Sequence, residues 1–219
     1  MWCIGKITAE YRERMYALCD LYARPYDPQE PVVCLDEKSS QLLACSRPDL
    51  PLRPGREAKQ DYEYVRRGTR NLFVAVEPLG GHREVAVTAR RTKGDFVGFV
   101  AGLLQTAYAG VRKMHLVLDH LNTHFRASFV AVLGVASAAE LLNRIEFHYT
   151  PKHASWLNMA ELEIGILNRQ CIGRRFANAE LLVAEVAAWQ RRRNDAHHGI
   201  RWGFTRQDAD RKLGRHYVT

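Results

Sequence analysis

Val32-Val33-Cys34-Leu35-Asp36 is a continuous apolar run closed by an aspartate, and Met114-His115-Leu116-Val117-Leu118-Asp119 has the same form later in the chain. Short apolar runs suit strands buried on both faces, as in the parallel part of an α/β sheet. Ligands of open α/β sheets bind beyond the carboxyl ends of such strands. The two aspartates are therefore the first candidates for chemistry. Each also has a plainer reading, as a turn residue or the N-cap of a following helix.

Around these strands the chain alternates. Residues 1 to about 24 form a charged amphipathic arm with helical character, and Pro25, Pro28 and Pro31 mark an extended connection. Residues 45–60, with Pro48, Pro51, Pro54 and Gly55, read as a loop. Asn71 to Leu79 and Arg83 to Arg91 read as a hairpin turning at Gly80-Gly81. Residues 94–109 and 124–143 are helical, and Glu146 to Thr150 is a strand closed by Pro151. Residues 154–172, 179–195 and 205–216 are the last helices. Strand, hairpin, helix, strand, helix, strand and helices describe an α/β domain with a mixed sheet flanked by helices, the order of the RNase H-like fold. Residues 1–30 are then an arm and linker, and residues 31–219 one domain.

The 219 residues carry a formal charge of +8, with 47% hydrophobic and 26% charged side chains. Such a chain buries a real core, and its positive surplus suits a polyanion, nucleic acid first. The five cysteines, Cys3, Cys19, Cys34, Cys45 and Cys171, lack metal-knuckle or redox spacing and read as reduced thiols. The charged N-terminus has no secretory apolar region, and Phe96 to Gly110 is too short to span a bilayer. The expectation is a cytoplasmic, nucleoid-associated protein with no membrane partner.

Two carboxylates on neighbouring strand ends repel unless a cation lies between them. Mg²⁺ or Mn²⁺ suits oxygen ligands, and a third acid completes a site for two such ions about 4 Å apart that clamps a phosphodiester. The third acid is expected from the helix at 154–172, where Glu161 and Glu163 compete. On a helical wheel, Glu161 falls in a narrow polar strip with Asn158, Gly165 and Asn168, between one stripe of Leu157, Ala160, Ile164, Leu167 and Cys171 and another of Met159, Leu162 and Ile166. Glu163 falls beside Gln170 on a face that reads as solvated. Glu161 is the preferred acid.

Three blocks carry a resemblance: Cys34-Leu35-Asp36-Glu37-Lys38-Ser39; Leu116-Val117-Leu118-Asp119-His120-Leu121-Asn122-Thr123-His124; and Tyr149-Thr150-Pro151-Lys152-His153-Ala154-Ser155-Trp156-Leu157-Asn158-Met159-Ala160-Glu161. They resemble the catalytic blocks of the IS-six-thirty family of bacterial insertion-sequence DDE transposases, relatives of mariner elements. Tyr64-Val65-Arg66-Arg67-Gly68-Thr69 resembles the family's basic turn before the hairpin, and Trp202-Gly203-Phe204-Thr205 with Asp208-Ala209 its C-terminal end. The resemblance implies an RNase H-like fold with Asp36, Asp119 and Glu161 holding two divalent cations, Mg²⁺ or Mn²⁺. It implies cleavage at transposon ends and strand transfer into target DNA, with double-stranded DNA as partner, and it allows a homodimer. It also implies that a helix-turn-helix region usual in the family is missing, since Met1 falls just before the arm. His120 stands where the family has asparagine, and Phe125 where a basic residue is common. Two alternatives stay open: a nuclease or resolvase without strand transfer, and a catalytically idle DNA-binding remnant.

Arg66, Arg67, Arg70, Lys152, His153 and His124 are candidate DNA contacts. His120, His124 and His153 also suit a metal's outer shell or local loop hydrogen bonds. Arg90, Arg91 and Lys93, and Arg191 to Arg193, form further basic clusters that read equally as solvated faces. Trp156 and Trp189 read as core.

Overall fold

A computed structural model of the chain describes residues 6–48, 50–59, 61–121 and 123–218; Cys3 and Asn122 lie outside the described residues. Seven helices and five strands are assigned: α1 (Ala9–Ala23), β1 (Val32–Cys45), β2 (Tyr64–Glu77), β3 (His82–Thr88), α2 (Lys93–Gln105), β4 (Met114–Leu118), α3 (Arg126–Leu133), α4 (Val135–Leu142), β5 (Ile145–Tyr149), α5 (Ala160–Leu167), α6 (Ala179–Asp195) and α7 (Arg206–Leu213). The strands form one sheet in the order β3-β2-β1-β4-β5. β1, β2 and β3 pair antiparallel, while β1, β4 and β5 pair in parallel. This is the mixed, helix-flanked sheet of the RNase H-like fold. Among the described residues no helix is long and apolar enough to cross a membrane.

Side chains alternate across a strand, so each apolar run of the central strands feeds both faces of the sheet. Val33, Leu35, Leu116 and Leu118 pack with Phe96, Val100 and Phe129 from α2 and α3. Cys34, Val76 and Val117 pack on the other face with Met15, Leu18 and Cys19 of α1 and with Ala160 and Ala209. The charged arm is thus a helix whose apolar side, Met15, Leu18, Cys19, Leu21 and Tyr22, is buried on the sheet. Thr205 and Asp208 form a capping box that starts α7 and sets Ala209 and Leu213 against that same core. Leu42, Leu72 and Val74 meet Leu167, Leu182 and Trp189 of α5 and α6.

Several boundaries differ from the sequence reading. β1 does not stop near Asp36 but runs on to Cys45. Tyr64-Val65-Arg66-Arg67-Gly68-Thr69 is not a turn: Tyr64, Val65, Arg66 and Thr69 pair with Cys45, Ala44, Leu43 and Gln41. The ladder shifts register between Gln41 and Leu43. Gly68, at φ 104°, supplies the backbone this bulge needs. Residues 124–143 are two helices broken at Gly134, φ 78°. The helix at 154–172 is a 3₁₀ turn, α5, and a π-helical turn over Asn168–Ile172. Trp189 is core as expected, but Trp156 is only half-buried, stacked 6.3 Å from Trp202.

Candidate active site

The parallel pairing of β1 with β4 ends at Cys34 opposite Val117. Two residues further on, the same register sets Asp36 opposite Asp119, on the face that Cys34 and Val117 share. Asp36 sits within a long strand, but at the carboxyl end of its parallel part. The chain reaches the third acid through Asn158. This buried carboxamide donates from Nδ2 to the Leu35 carbonyl at 2.9 Å, while its Oδ1 accepts the Ala160 N–H at 3.1 Å. One side chain thus ties the start of α5 to the backbone just before Asp36, and Glu161 lies in the first turn of that helix. Asn158→Ala is expected to leave a buried carbonyl and N–H unpaired, at a cost of about 1–3 kcal/mol, read in a denaturant melt. An unchanged midpoint would show that α5 is held otherwise.

The three acids act on one another. Burial pushes the Asp36 carboxyl up to about 7 against the Glu37 N–H that it accepts, and the charges of Asp119, Glu161 and Glu37 push the same way. Asp119 behaves oppositely. Burial raises it, but the hydrogen bond and charge of His124, with the Leu121 N–H, hold it below the ordinary carboxylate range.

His124 is fully buried between two carboxylates. Nδ1 lies 2.7 Å from Asp119 Oδ1 and Nε2 2.9 Å from Glu37 Oε1. Both partners are acceptors, so both ring nitrogens donate and the ring is an imidazolium. Burial lowers its pKa, yet the two carboxylates outweigh that and raise it to about 9. The ring is tilted against Phe96 at 4.7 Å, and its carbonyl accepts the Tyr149 hydroxyl at 3.0 Å. This corrects the sequence reading of His124 as a DNA contact: both its nitrogens are occupied away from the surface. Its role is to fix the Asp119 carboxylate.

The pH dependence follows from two raised values. Folded Asp36 keeps a proton that the unfolded chain releases near 4, so stability falls as pH rises from about 4 to 7. His124 stabilises the fold fully below about 6.5, and that contribution is lost as pH rises through 9. The metal-free chain is expected to melt lower at pH 9 than at pH 6, and a higher melting temperature at pH 9 would contradict both assignments.

Glu163 is not solvated, contrary to the wheel. It is fully buried and accepts Arg83 Nε at 2.7 Å and Arg193 Nε at 3.1 Å. The wheel shows only α5; it is α6 and β3, packed over it, that cover Glu163. Glu161 is exposed, and Leu162, expected to be packed, is 51% exposed. Of the remaining candidates, Lys152 and His153 are exposed and line one concavity with Lys6, Arg14 and His120, beside Asp119. Arg66 and Arg67 are exposed on the far end of the β1–β2 ribbon. Arg70 pairs opposite Ser40, four residues along from Asp36 and about 13 Å away at the rise of a strand. The basic cluster therefore stands on a projecting ribbon and away from the acids. Sequence reading missed Glu37, whose partnership with His124 spans distant segments and leaves no local trace.

The oxygen-only donor set of Asp36, Asp119 and Glu161, with Asp36 pushed up by burial and by its neighbours' charge, suits a hard divalent cation by its chemistry, although the three carboxylates do not all come within 4.8 Å of one another in the metal-free chain.

Comparison with known proteins gives a fold and a family. No curated protein sequence matches the chain. Solved structures match in fold. The Mos1 mariner paired-end complex with Mn has a TM-score of 0.57 at 16% identity, covering 90% of this chain and 60% of that one. The Mos1 strand transfer complex has the same TM-score and identity, covering 90% and 59%. The mariner Mos1 paired-end complex with Mg has a TM-score of 0.53 at 14% identity, covering 100% and 66%. The chain thus spans about 60% of the length of the first of these structures. Residues 31–183, well over half of the chain and inclusive of Asp36, Asp119 and Glu161, match the family described as DDE superfamily endonuclease, and the chain belongs to that family.

Proposed function

We propose that this chain is the catalytic core of a DNA transposase of the bacterial IS-six-thirty group, related to mariner, and that Asp36, Asp119 and Glu161 are its catalytic acids. The observation that carries the reading is the Asp36 carboxyl, held up to about 7 by burial and by the charges of Asp119 and Glu161. Such crowding destabilises the empty site and is relieved by a cation. The three acids would hold two Mg²⁺ or Mn²⁺ ions. When bound, these supply charge neutralisation at the attacking and leaving oxygens of a phosphodiester.

The chain's own residues do the positioning. His124 and Glu37 lock the Asp119 carboxylate in place, and Asn158 locks the helix that carries Glu161. Lys152 and His153, with Lys6 and Arg14, offer a basic surface for the DNA backbone beside the acids, and Arg66, Arg67 and Arg70 a second one on the ribbon. In the first step a water attacks the phosphorus at the transposon end, the bond to the 3′-oxygen breaks, and that oxygen leaves as a hydroxyl. In the second step the freed 3′-hydroxyl attacks a target phosphodiester, displacing the 3′-oxygen of the target strand. The substrate is double-stranded DNA, met in the cytoplasm on the nucleoid. Residues 31–219 form the bulk of the catalytic domain, and α1 of the arm preceding them packs into its core.

The test is a plasmid carrying transposon ends, with Mg²⁺ or Mn²⁺. Nicked and joined products are expected from the wild type, and neither from Glu161→Gln. Nicking without joining would replace strand transfer with simple hydrolysis. Full activity in Glu161→Gln would reject that residue as the third acid.

DNA affinity should be weak, indifferent to sequence and steep in salt, because phosphate contacts supply it. Arg66→Ala is expected to flatten the slope of log affinity against log salt by about 1, one contact's worth. An unchanged slope would remove the ribbon from the interface.

A further inference from the structure

A second cluster of ligating groups lies on the parallel strands β4 and β5. His115 on β4 and Glu146 and His148 on β5 share one face of the sheet, since His115 pairs with Glu146 and Val117 with His148. His115 Nδ1 is 3.0 Å from His148 Nε2 and 3.7 Å from Glu146 Oε2, and His148 Nε2 is 3.6 Å from Glu146 Oε1. His115 precedes Asp119 by four residues of strand, about 13 Å, and His148 lies opposite Val117, two residues or about 7 Å before it; the three ligating groups gather with one another and not with Asp119.

We propose that His115, Glu146 and His148 form a zinc site. Ligand atoms bound at about 2.0–2.1 Å to a tetrahedral ion stand about 3.3–3.4 Å from one another. The two ring nitrogens stand 3.0 Å apart, each has a different Glu146 oxygen at 3.6–3.7 Å, and one ligand atom from each residue lies within 4.8 Å of the others, so a modest adjustment closes the three on one ion. Two imidazoles and one carboxylate are a zinc donor set, unlike the oxygen-only set of the candidate acid site, which suits Mg²⁺. His115 and His148 are largely buried while Glu146 is half exposed, so the fourth position opens to water. Both rings are held neutral: burial lowers His148 to about 4, with His115 adding to the effect, and burial also lowers His115.

A zinc-bound histidine also needs an acceptor for its other N–H, and for His115 this requires a local rearrangement, because Glu30 Oε2 stands 3.9 Å from Nε2. With Nδ1 on the metal, the His115 proton moves to Nε2. Arg24 Nη1, at 2.9 Å, is a donor and cannot receive it. Glu30 Oε2, at 3.9 Å, can. Arg24 donates to that same carboxylate at 3.1 Å, and Arg112 reaches its other oxygen at 3.1 Å, so zinc binding would have to turn the Arg24 guanidinium off the ring and bring Glu30 closer to it. The bound ion joins β4 to β5 and, through Glu30, to the connection that follows α1.

Calorimetric titration with ZnCl₂ tests the site. One Zn²⁺ per chain is expected beside any bound at the acids, persisting in Asp36→Asn and undiminished by excess Mg²⁺. His148→Ala and Glu146→Gln should each weaken it at least tenfold, and zinc should raise the melting temperature of the wild type but not of these variants. X-ray absorption at the zinc edge should show two imidazole nitrogens. Glu146 is half exposed, so Glu146→Gln keeps the test valid if His148→Ala fails to fold. Zinc binding that both variants retain, or that Asp36→Asn alone abolishes, would overturn the proposal.

Discussion

Asp36→Asn is expected to raise the melting temperature of the metal-free chain at pH 8 while abolishing metal-dependent nicking. At that pH the native Asp36 carboxyl is ionised in a buried place beside like charges, and its pKa of about 7 records the penalty. Three units above the unfolded value correspond to on the order of 4 kcal/mol, which a neutral amide removes. The amide oxygen still accepts the Glu37 N–H, so the local fold is kept. The effect should vanish at pH 4, where the aspartate is protonated in the native state. Asp119→Asn should also abolish nicking, yet move stability the other way. It takes the charge from the partner of the buried His124 imidazolium, costing about 1–3 kcal/mol. Two acids of one site thus differ in the sign of their stability effect. Equal shifts in the two variants would contradict the opposite electrostatic settings of Asp36 and Asp119.

The largest loss of stability is expected from Glu163→Gln. Glu163 and Arg83 are both fully buried, and Arg193 donates to the same carboxylate at 3.1 and 3.2 Å. Arg83 also donates to the carbonyls of Gly81 and His198, so one guanidinium binds β3, α5 and the segment after α6. Taking the charge from Glu163 strands a buried arginine, and breaking such a pair costs about 3–5 kcal/mol. At about 2–4 °C per kcal/mol for a chain of this size, the melting temperature should fall by roughly 10 °C. Replacing Arg83 and Glu163 together by apolar residues, Arg83→Met with Glu163→Leu, should recover only part of the loss, because Arg193 still loses its carboxylate. Below its melting range, Glu163→Gln should still nick DNA, which Glu161→Gln should not. A Glu163→Gln variant of wild-type stability would show that the pair does not hold β3, α5 and α6 together.

The parts of the fold legible in the sequence are those set by local patterning. Apolar runs ending in aspartate marked β1 and β4 because a strand buried on both faces needs every side chain apolar. Helical spacing placed α2 and α6, and the glycine pair the turn between β2 and β3, within a few residues, but β2 begins at Tyr64 and not near Asn71. The second half of β1 was not legible. Lys38-Ser39-Ser40-Gln41 has no strand pattern and is extended because β2 pairs with it along its length. In the candidate site, Asp36 and Asp119 were visible as strand ends, whereas the Glu37–His124–Asp119 chain joins residues far apart in sequence. Glu163 was misread for the same reason: one helix seen alone has a solvent face, and only the packing of α6 shows that this face is covered. The His115, Glu146 and His148 cluster likewise exists only through the β4–β5 register.

The most direct measurement is anomalous diffraction from crystals soaked in MnCl₂, with the wild type and Asp119→Asn compared. Manganese density enclosed by the carboxylates of Asp36, Asp119 and Glu161 is expected in the wild type, and its loss in the variant. Manganese bound elsewhere, with none at these three acids, would contradict their assignment as the metal-binding catalytic triad.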